Sequence, residues 1–311
     1  MFTPLLTILP VFALVLAGWG ARRTGVLGPH ATRELNRFVV WLALPALLFD
    51  IVAHAQFHTL WQPGFIAAFS LGCFAVFVIT IALRWRKPRH LADAAIDGLN
   101  AAYGNTGFIG FPLAAAVFGV SALTPTLIAA ILTVCVLFGV AIILIEAGLQ
   151  GEAHPLHILG KVALSLAKNP LLVAPVVALI VPLSGHALPA PADSFLKLLG
   201  GAASPCALVA LGLFLAEKQP EGQTAHGITA LLVGLKLIAQ PALTWLACVY
   251  WLHLSATDTR LCVVLAALPT GTGPFMLAEF YHREATITSR VILASTIASL
   301  ITLSVLLALP F

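Results

Sequence analysis

Ten runs of mostly apolar residues occupy nearly the whole chain, at 4–21, 34–53, 63–84, 94–119, 124–146, 167–184, 194–216, 226–252, 260–281 and 287–309. Each is close to the ~20 residues that a helix needs to cross the hydrocarbon core of a bilayer. The connections are short and punctuated by Gly28-Pro29, Gln62-Pro63, Lys87-Pro88, Pro189, Pro191 and Gln219-Pro220. No soluble domain fits between the runs, and the longest connection, about 147–166, has room only for an interfacial segment. With 60% hydrophobic and 9% charged residues, against roughly 25% charged in a soluble domain, the chain cannot cover a water-facing surface. Lipid is then its solvent, and the expectation is an all-α integral membrane protein with ten transmembrane helices and the bilayer as its first partner.

Arg22 and Arg23 follow the first apolar run instead of preceding it. That order is the reverse of a signal peptide or a twin-arginine leader, so the run reads as a true first span. Alternate connections carry Arg22, Arg23, Arg33 and Arg37; Arg84, Arg86, Lys87 and Arg89; Lys161 and Lys168; Lys218; and Arg283 and Arg290. The opposite connections carry Arg260, while Lys197 and Lys236 fall within spans. By the positive-inside rule the basic connections are cytoplasmic, which puts both termini outside an inner, or plasma, membrane. A net charge of +4 is small and bears on orientation, not on a nucleic-acid partner.

Cys73, Cys135, Cys206, Cys248 and Cys262 all lie in apolar runs without a CxxC pair, so they read as small buried side chains. His54 and His58 are spaced i, i+4, and His154 and His157 i, i+3, with no third ligand near either pair in the sequence. Neither a metal nor a cofactor is expected.

The two halves of the chain repeat. Span 2 reads FVVWLALPALLF and span 7 reads GGAASPCALVALG, with Pro45 and Pro205 at mid-depth. Span 4 holds GNTGFIGFP at 104–112, and span 9 holds PTGTGPF at 269–275. Five spans per half is an odd number, so the second half runs upside down relative to the first, the signature of an inverted-repeat secondary transporter.

The Gly/Pro clusters are expected to break spans 4 and 9. Gly104, Gly107 and Gly110 remove side chains that would block a close approach, and Pro112 removes a donor. Pro269, Gly271, Gly273 and Pro274 act likewise in span 9. Nonhelical backbone at membrane depth is tolerated only against protein or a water-filled cavity. Two such segments crossing near the midplane would offer helix N-termini, which are partly positive and prefer an anion such as a carboxylate. Asn105, Thr106, Thr270 and Thr272 supply neutral donors there. Lys236 and, one turn on, Gln240 lie in the middle of span 8, where a charge defaults to function. Lys236 is read as a counter-charge for an anion, as a tether for broken-helix carbonyls, or as a snorkelling side chain. Pro45 and Pro205 read as kinks facing the site, and Gly200-Gly201 as a packing seam.

Neither crossing contains a carboxylate, which removes a paired-Asp antiporter site, and a Na⁺ ligand set there would be mostly backbone carbonyl. No Walker, HExxH or GxSxG motif occurs, so neither ATP drive nor an enzyme is expected.

The series KNPLLVAPVVALI (168–180), LVALGLFLA (208–216), GNTGFIGFPL (104–113), LKLIAQPAL (235–243) and ALPTGTGPFMLAEFY (267–281) resembles the auxin efflux carrier family over nearly the whole chain. That family includes plant auxin exporters and bacterial permeases assigned to malonate or related dicarboxylates. Without a long central loop, this chain is similar to the compact bacterial branch. The resemblance implies a single transporter domain of two inverted five-helix repeats, 1–150 and 160–311, like bile-acid symporters and sodium/proton antiporters. Spans 1, 2, 6 and 7 would form a scaffold, often dimeric, and spans 3–5 and 8–10 a moving domain with crossovers in spans 4 and 9. Asn105 matches the family's crossover asparagine, Pro269 and Pro274 its second-crossover prolines, and Lys236 a position that tends to be basic. Thr270 stands where plant carriers hold their polar residue after the proline.

The expectation is a secondary active or facilitative transporter of a small organic anion, working by elevator-type alternating access. A Na⁺- or H⁺-coupled symporter is one rival, and a membrane ligand sensor that does not transport is the other.

Overall fold

The structure is a computed structural model that describes residues 2–54, 60–86, 89–149, 164, 167–217 and 224–309. Lys87, Lys161, Lys218, His58, His154 and His157 lie outside the described residues, as does most of the 147–166 connection. The described chain is helical throughout. Its elements are α1 (Phe2–Arg23), α2 (Ala31–Ala53), α3 (Pro63–Arg84), α4 (Leu91–Ala102), α5 (Phe111–Phe118), α6 (Val120–Leu149), α7 (Pro170–Ser184), α8 (Ala190–Leu215), α9 (His226–Trp251), α10 (Ala256–Ala266), α11 (Gly273–Phe280) and α12 (Thr286–Ala308). Six of these, α2, α3, α6, α8, α9 and α12, are long and apolar enough to cross a membrane. Among the described residues no strand forms; one isolated antiparallel bridge joins Gly104 to Thr270.

Polar residues cap several of the helices. The His90 ring accepts from the Ala92 amide at 3.2 Å, Asn169 Oδ1 from Leu171 at 3.0 Å, and Ser255 Oγ from Asp258 at 3.1 Å. Each cap satisfies an amide that the first helical turn leaves without a partner.

Three of the prolines within the helices are absorbed in one recurring way. A π-helical turn precedes Pro45 (Val39–Ala43), Pro112 (Thr106–Gly110) and Pro241 (Leu235–Ala239). The extra residue in such a turn moves the backbone carbonyl that would clash with the proline ring.

Helix contacts are set by small residues. A Cβ on Gly18 would fall on the Val209 carbonyl, and one on Gly212 would fall on the Val15 carbonyl, so α1 and α8 touch backbone to backbone. A Cβ on Gly200 would lie 2.9 Å from the Leu47 backbone of α2, which makes Gly200 the packing half of the Gly200-Gly201 pair. Gly201 has nothing within 4 Å. Without a hydrophobic drive between helices in lipid, such close approach supplies the dispersion contact that holds them together.

Candidate functional site

Helix α4 stops at Ala102 and the chain resumes helical form at Thr106; α10 stops at Ala266 and α11 begins at Gly273. The two gaps lie against each other and satisfy each other's backbone. The Asn105 amide donates to the Pro269 carbonyl at 2.8 Å, and the Gly271 amide donates to the Tyr103 carbonyl at 3.0 Å. Tyr103 needs room to do this. Its ring sits where Cβ atoms on Gly271 and Gly273 would be, at 2.8 and 2.7 Å.

The last carbonyls of the first half-helices are also covered. The Lys236 ammonium donates to the Ala266 carbonyl at 2.8 Å. Gln240 Nε2, one turn along α9, donates to the Ala102 carbonyl at 3.2 Å, with the Cys73 thiol donating to the same oxygen at 3.6 Å. Thr270 Oγ1 donates to the Asn100 carbonyl at 2.8 Å, while the Thr270 amide donates to Ser295 Oγ at 3.1 Å. Asn100 Nδ2 in turn donates to Thr288 Oγ1 at 3.0 Å. Lys236, Gln240 and Thr270 are all fully or almost fully buried.

The second half-helices begin on a cavity of about 270 Å³. Of the residues singled out by sequence, Asn105, Thr106, Gly107, Gly271, Thr272 and Pro205 line it. Pro45, Pro112, Lys236, Gln240, Pro269, Thr270, Gly273 and Pro274 do not. Lys236, Gln240, Pro269 and Thr270 instead hold the crossing together from behind, through the bonds above. Pro274 sits in the first turn of α11, where a missing amide costs nothing, and Pro112 follows the π-helical turn at Thr106–Gly110. The rest of the wall comes from Leu44, Leu47 and Ile51 of α2, Tyr103 and Gly104 in the first gap, Phe111 of α5, Ala130 and Val134 of α6, Gly200, Gly201, Ala203 and Ser204 of α8, and Met276 of α11.

Among the described residues the wall carries no Asp, Glu, Lys, Arg or His. Its positive character comes from the exposed starts of two half-helices, each equivalent to about half an elementary charge. Thr106 Oγ1 is fully buried beside the cavity with no hydrogen-bond partner. An orphaned hydroxyl in such a place is an open valence for a ligand.

Charged groups near the span ends are paired among themselves. Asp97 lies between Arg84 (2.8 Å) and Arg89 (2.7 Å). In the α11–α12 connection, burial raises the Glu284 carboxyl above the usual range, with the Arg89 guanidinium pulling it back. Arg283 chelates Asp93 through two hydrogen bonds, which raises its already high pKa further. Asp50, His54 and Asp193 bring three metal-ligand groups within 4.8 Å of one another. Both ring nitrogens of His54 already face carboxylates at 3.0 Å, and Lys197 holds the other oxygen of Asp193. This group is an ion-paired clip between α2 and α8.

A multi-pass helical protein whose broken helices close a cavity has the build of a membrane transporter. The chain belongs to the membrane transport protein family, which matches residues 5–307. Its relatives include a putative malonate transporter of Rhizobium meliloti (strain 1021), 29% identical over 97% of this chain and 94% of that one. The uncharacterized transporter YfdV of Escherichia coli (strain K12) is 28% identical over 88% and 87%. Auxin efflux carrier component 8 of Arabidopsis thaliana is 23% identical over 90% of each chain.

Proposed function

We propose that this transporter carries a small organic anion, a carboxylate, by alternating access at the 270 Å³ cavity. One observation carries the reading: both second half-helices start on a cavity with no ionised side chain among the described residues, where a carboxylate finds helix N-termini and hydroxyl donors. The malonate name of a relative that matches almost end to end supports the same class of cargo.

In this reading the ten spans are α1, α2, α3, α4 with α5, α6, α7, α8, α9, α10 with α11, and α12. They form two inverted repeats of five in an inner membrane with both termini outside. Helices α1, α2, α7 and α8 are the scaffold, and the remaining helices slide against it as a unit, in the manner of an elevator. The wall is made half from scaffold and half from crossing, as such a movement requires. A scaffold-mediated homodimer completes the proposal.

A Na⁺-coupled variant draws less support. The half-helix carbonyls that would ligate a cation, at Ala102 and Ala266, already accept from Gln240 and Lys236.

The test is uptake of labelled malonate into proteoliposomes. Replacing Asn105 by Ala is expected to lower uptake at least about tenfold, the loss of one charge-assisted hydrogen bond. Unchanged uptake removes the site assignment.

A further inference from the structure

The carboxylate reading leaves open which ionisation state of the cargo the cavity accepts, and the charges around it answer that. Resting on that reading, we infer that the cavity takes cargo bearing a single negative charge, so that a dicarboxylate enters as its half-protonated monoanion and carries a proton with it.

The positive charge built into the site is close to one. Two half-helix starts face the cavity, at Thr106 and at Thr272, the residue before Gly273, each equivalent to about +0.5. The ends of α4 and α10, equivalent to about −0.5 each, lie behind the crossing and are covered by Gln240 and Lys236. Lys236 is not on the cavity wall; its Nζ lies 3.8 Å from where a Cβ on Gly104, a wall residue, would stand. The two helix starts that face the cavity together amount to about +1.

A second ionised carboxylate has nothing to pair with. Opposite the crossing the wall is Leu44, Leu47, Ile51 and Val134. The titratable side chain on the wall is the Tyr103 phenol; behind it lie the Cys135 thiol of α6 and, against the Ala102 carbonyl, the Cys73 thiol of α3. None of these is a cation at neutral pH. An unpaired carboxylate in an apolar wall takes up a proton instead of remaining charged. Thr106 Oγ1, buried and without a partner, suits either form, since a hydroxyl donates to a carboxylate and accepts from a carboxylic acid.

The consequence is proton coupling without a titrating carboxylate in the protein. The crossings contain no Asp or Glu, and the proton crosses on the cargo. Movement is then favoured from the more acidic side, and the protein needs no protonation cycle of its own.

The probe pair is malonate and malonamate, which share size and skeleton, but malonamate keeps one negative charge at every pH used. Binding to the purified full chain in nanodiscs is measured by calorimetry between pH 8 and pH 6.5. At pH 8 malonamate is expected to bind at least about tenfold more tightly than malonate. Malonate affinity is expected to rise about tenfold per pH unit on acidification, following its monoanion fraction, while malonamate affinity stays level. Malonate binding that is as tight as malonamate at pH 8, or insensitive to pH, overturns the inference and leaves the carboxylate site standing. A pH dependence shared by both ligands also overturns it, because the proton then sits on the protein. If neither ligand binds, the carboxylate reading falls and takes this inference with it.

Discussion

Thr106 shows most directly how a residue can be placed for a ligand and not for the fold. Its hydroxyl is buried without a partner, a condition that costs about 1–3 kcal/mol. Valine keeps the shape and removes the orphan, so Thr106→Val is expected to unfold at the same temperature or a higher one. The same change should weaken carboxylate binding several-fold, read by calorimetry on the same sample. A variant that loses stability and keeps affinity would make Thr106 a structural residue. The sequence marked Thr106 because it lies between helix breakers, and marked Lys236 because a charge at mid-span is rare. It gave no sign of which carbonyl Lys236 meets, since that depends on two segments 30 residues apart folding back on each other. Tyr103, Asn100, Thr288 and Ser295 escaped notice for a different reason. Hydroxyl and amide side chains in an apolar helix look like filler until a neighbour's unpaired backbone is known. One trace was available: Thr288, Ser295 and Ser299 stand at i, i+7 and i+11 on one face of α12, and all three are buried.

At the scale of elements, the hydrophobic runs locate helices to within a few residues because crossing length and capping chemistry are both local. The breaks in the fourth and ninth runs were legible for the same reason, since Gly and Pro act where they stand. Which helices touch is not local. The α1–α8 seam rests on Gly18 and Gly212, 194 positions apart, each lying against the other helix's backbone. Nothing in either run distinguishes these glycines from Gly20, whose Cβ position has no neighbour within 4 Å. The difference is testable. Gly212→Val must push α1 away from α8 and is expected to cost about 1–3 kcal/mol or more, seen as a lower thermal midpoint in detergent. Gly20→Ala meets no obstacle and is expected to be neutral or to stabilise by a few tenths of a kcal/mol, through helix propensity and a less free unfolded chain. Equal losses in the two variants would mean that the seam contributes no more than any other helix surface.

For the whole molecule, the question is what holds one arrangement of scaffold and crossing against another. The cavity wall reaches Ile51, near the end of α2, which the proposed orientation puts on the outer side. On the other side, two hydrogen bonds bridge the proposed scaffold and the proposed moving helices. Asn36 Nδ2 of α2 donates to the Met276 carbonyl of α11 at 3.3 Å. Asn169 Nδ2, at the start of α7, donates to the Tyr281 hydroxyl at 3.1 Å. Tyr281 donates in turn to Glu146 at 2.7 Å, and this bond lies within the moving group. Sliding the crossing inward must break the Asn36 and Asn169 bonds, so they favour the arrangement with the cavity mouth outward. Tyr281→Phe removes one of them without touching the cavity. A net hydrogen bond of about 1 kcal/mol corresponds to about a fivefold change in the ratio of the two arrangements. With Ile51→Cys as reporter and the parent chain as blank, an impermeant thiol reagent added outside is expected to label rapidly, and more slowly with malonate bound. Adding Tyr281→Phe is expected to lower that labelling rate up to about fivefold if the inward arrangement becomes populated. Labelling of Ile51→Cys from the inner side alone would reverse the orientation, and labelling unmoved by Tyr281→Phe would remove Asn169 and Tyr281 from the gate.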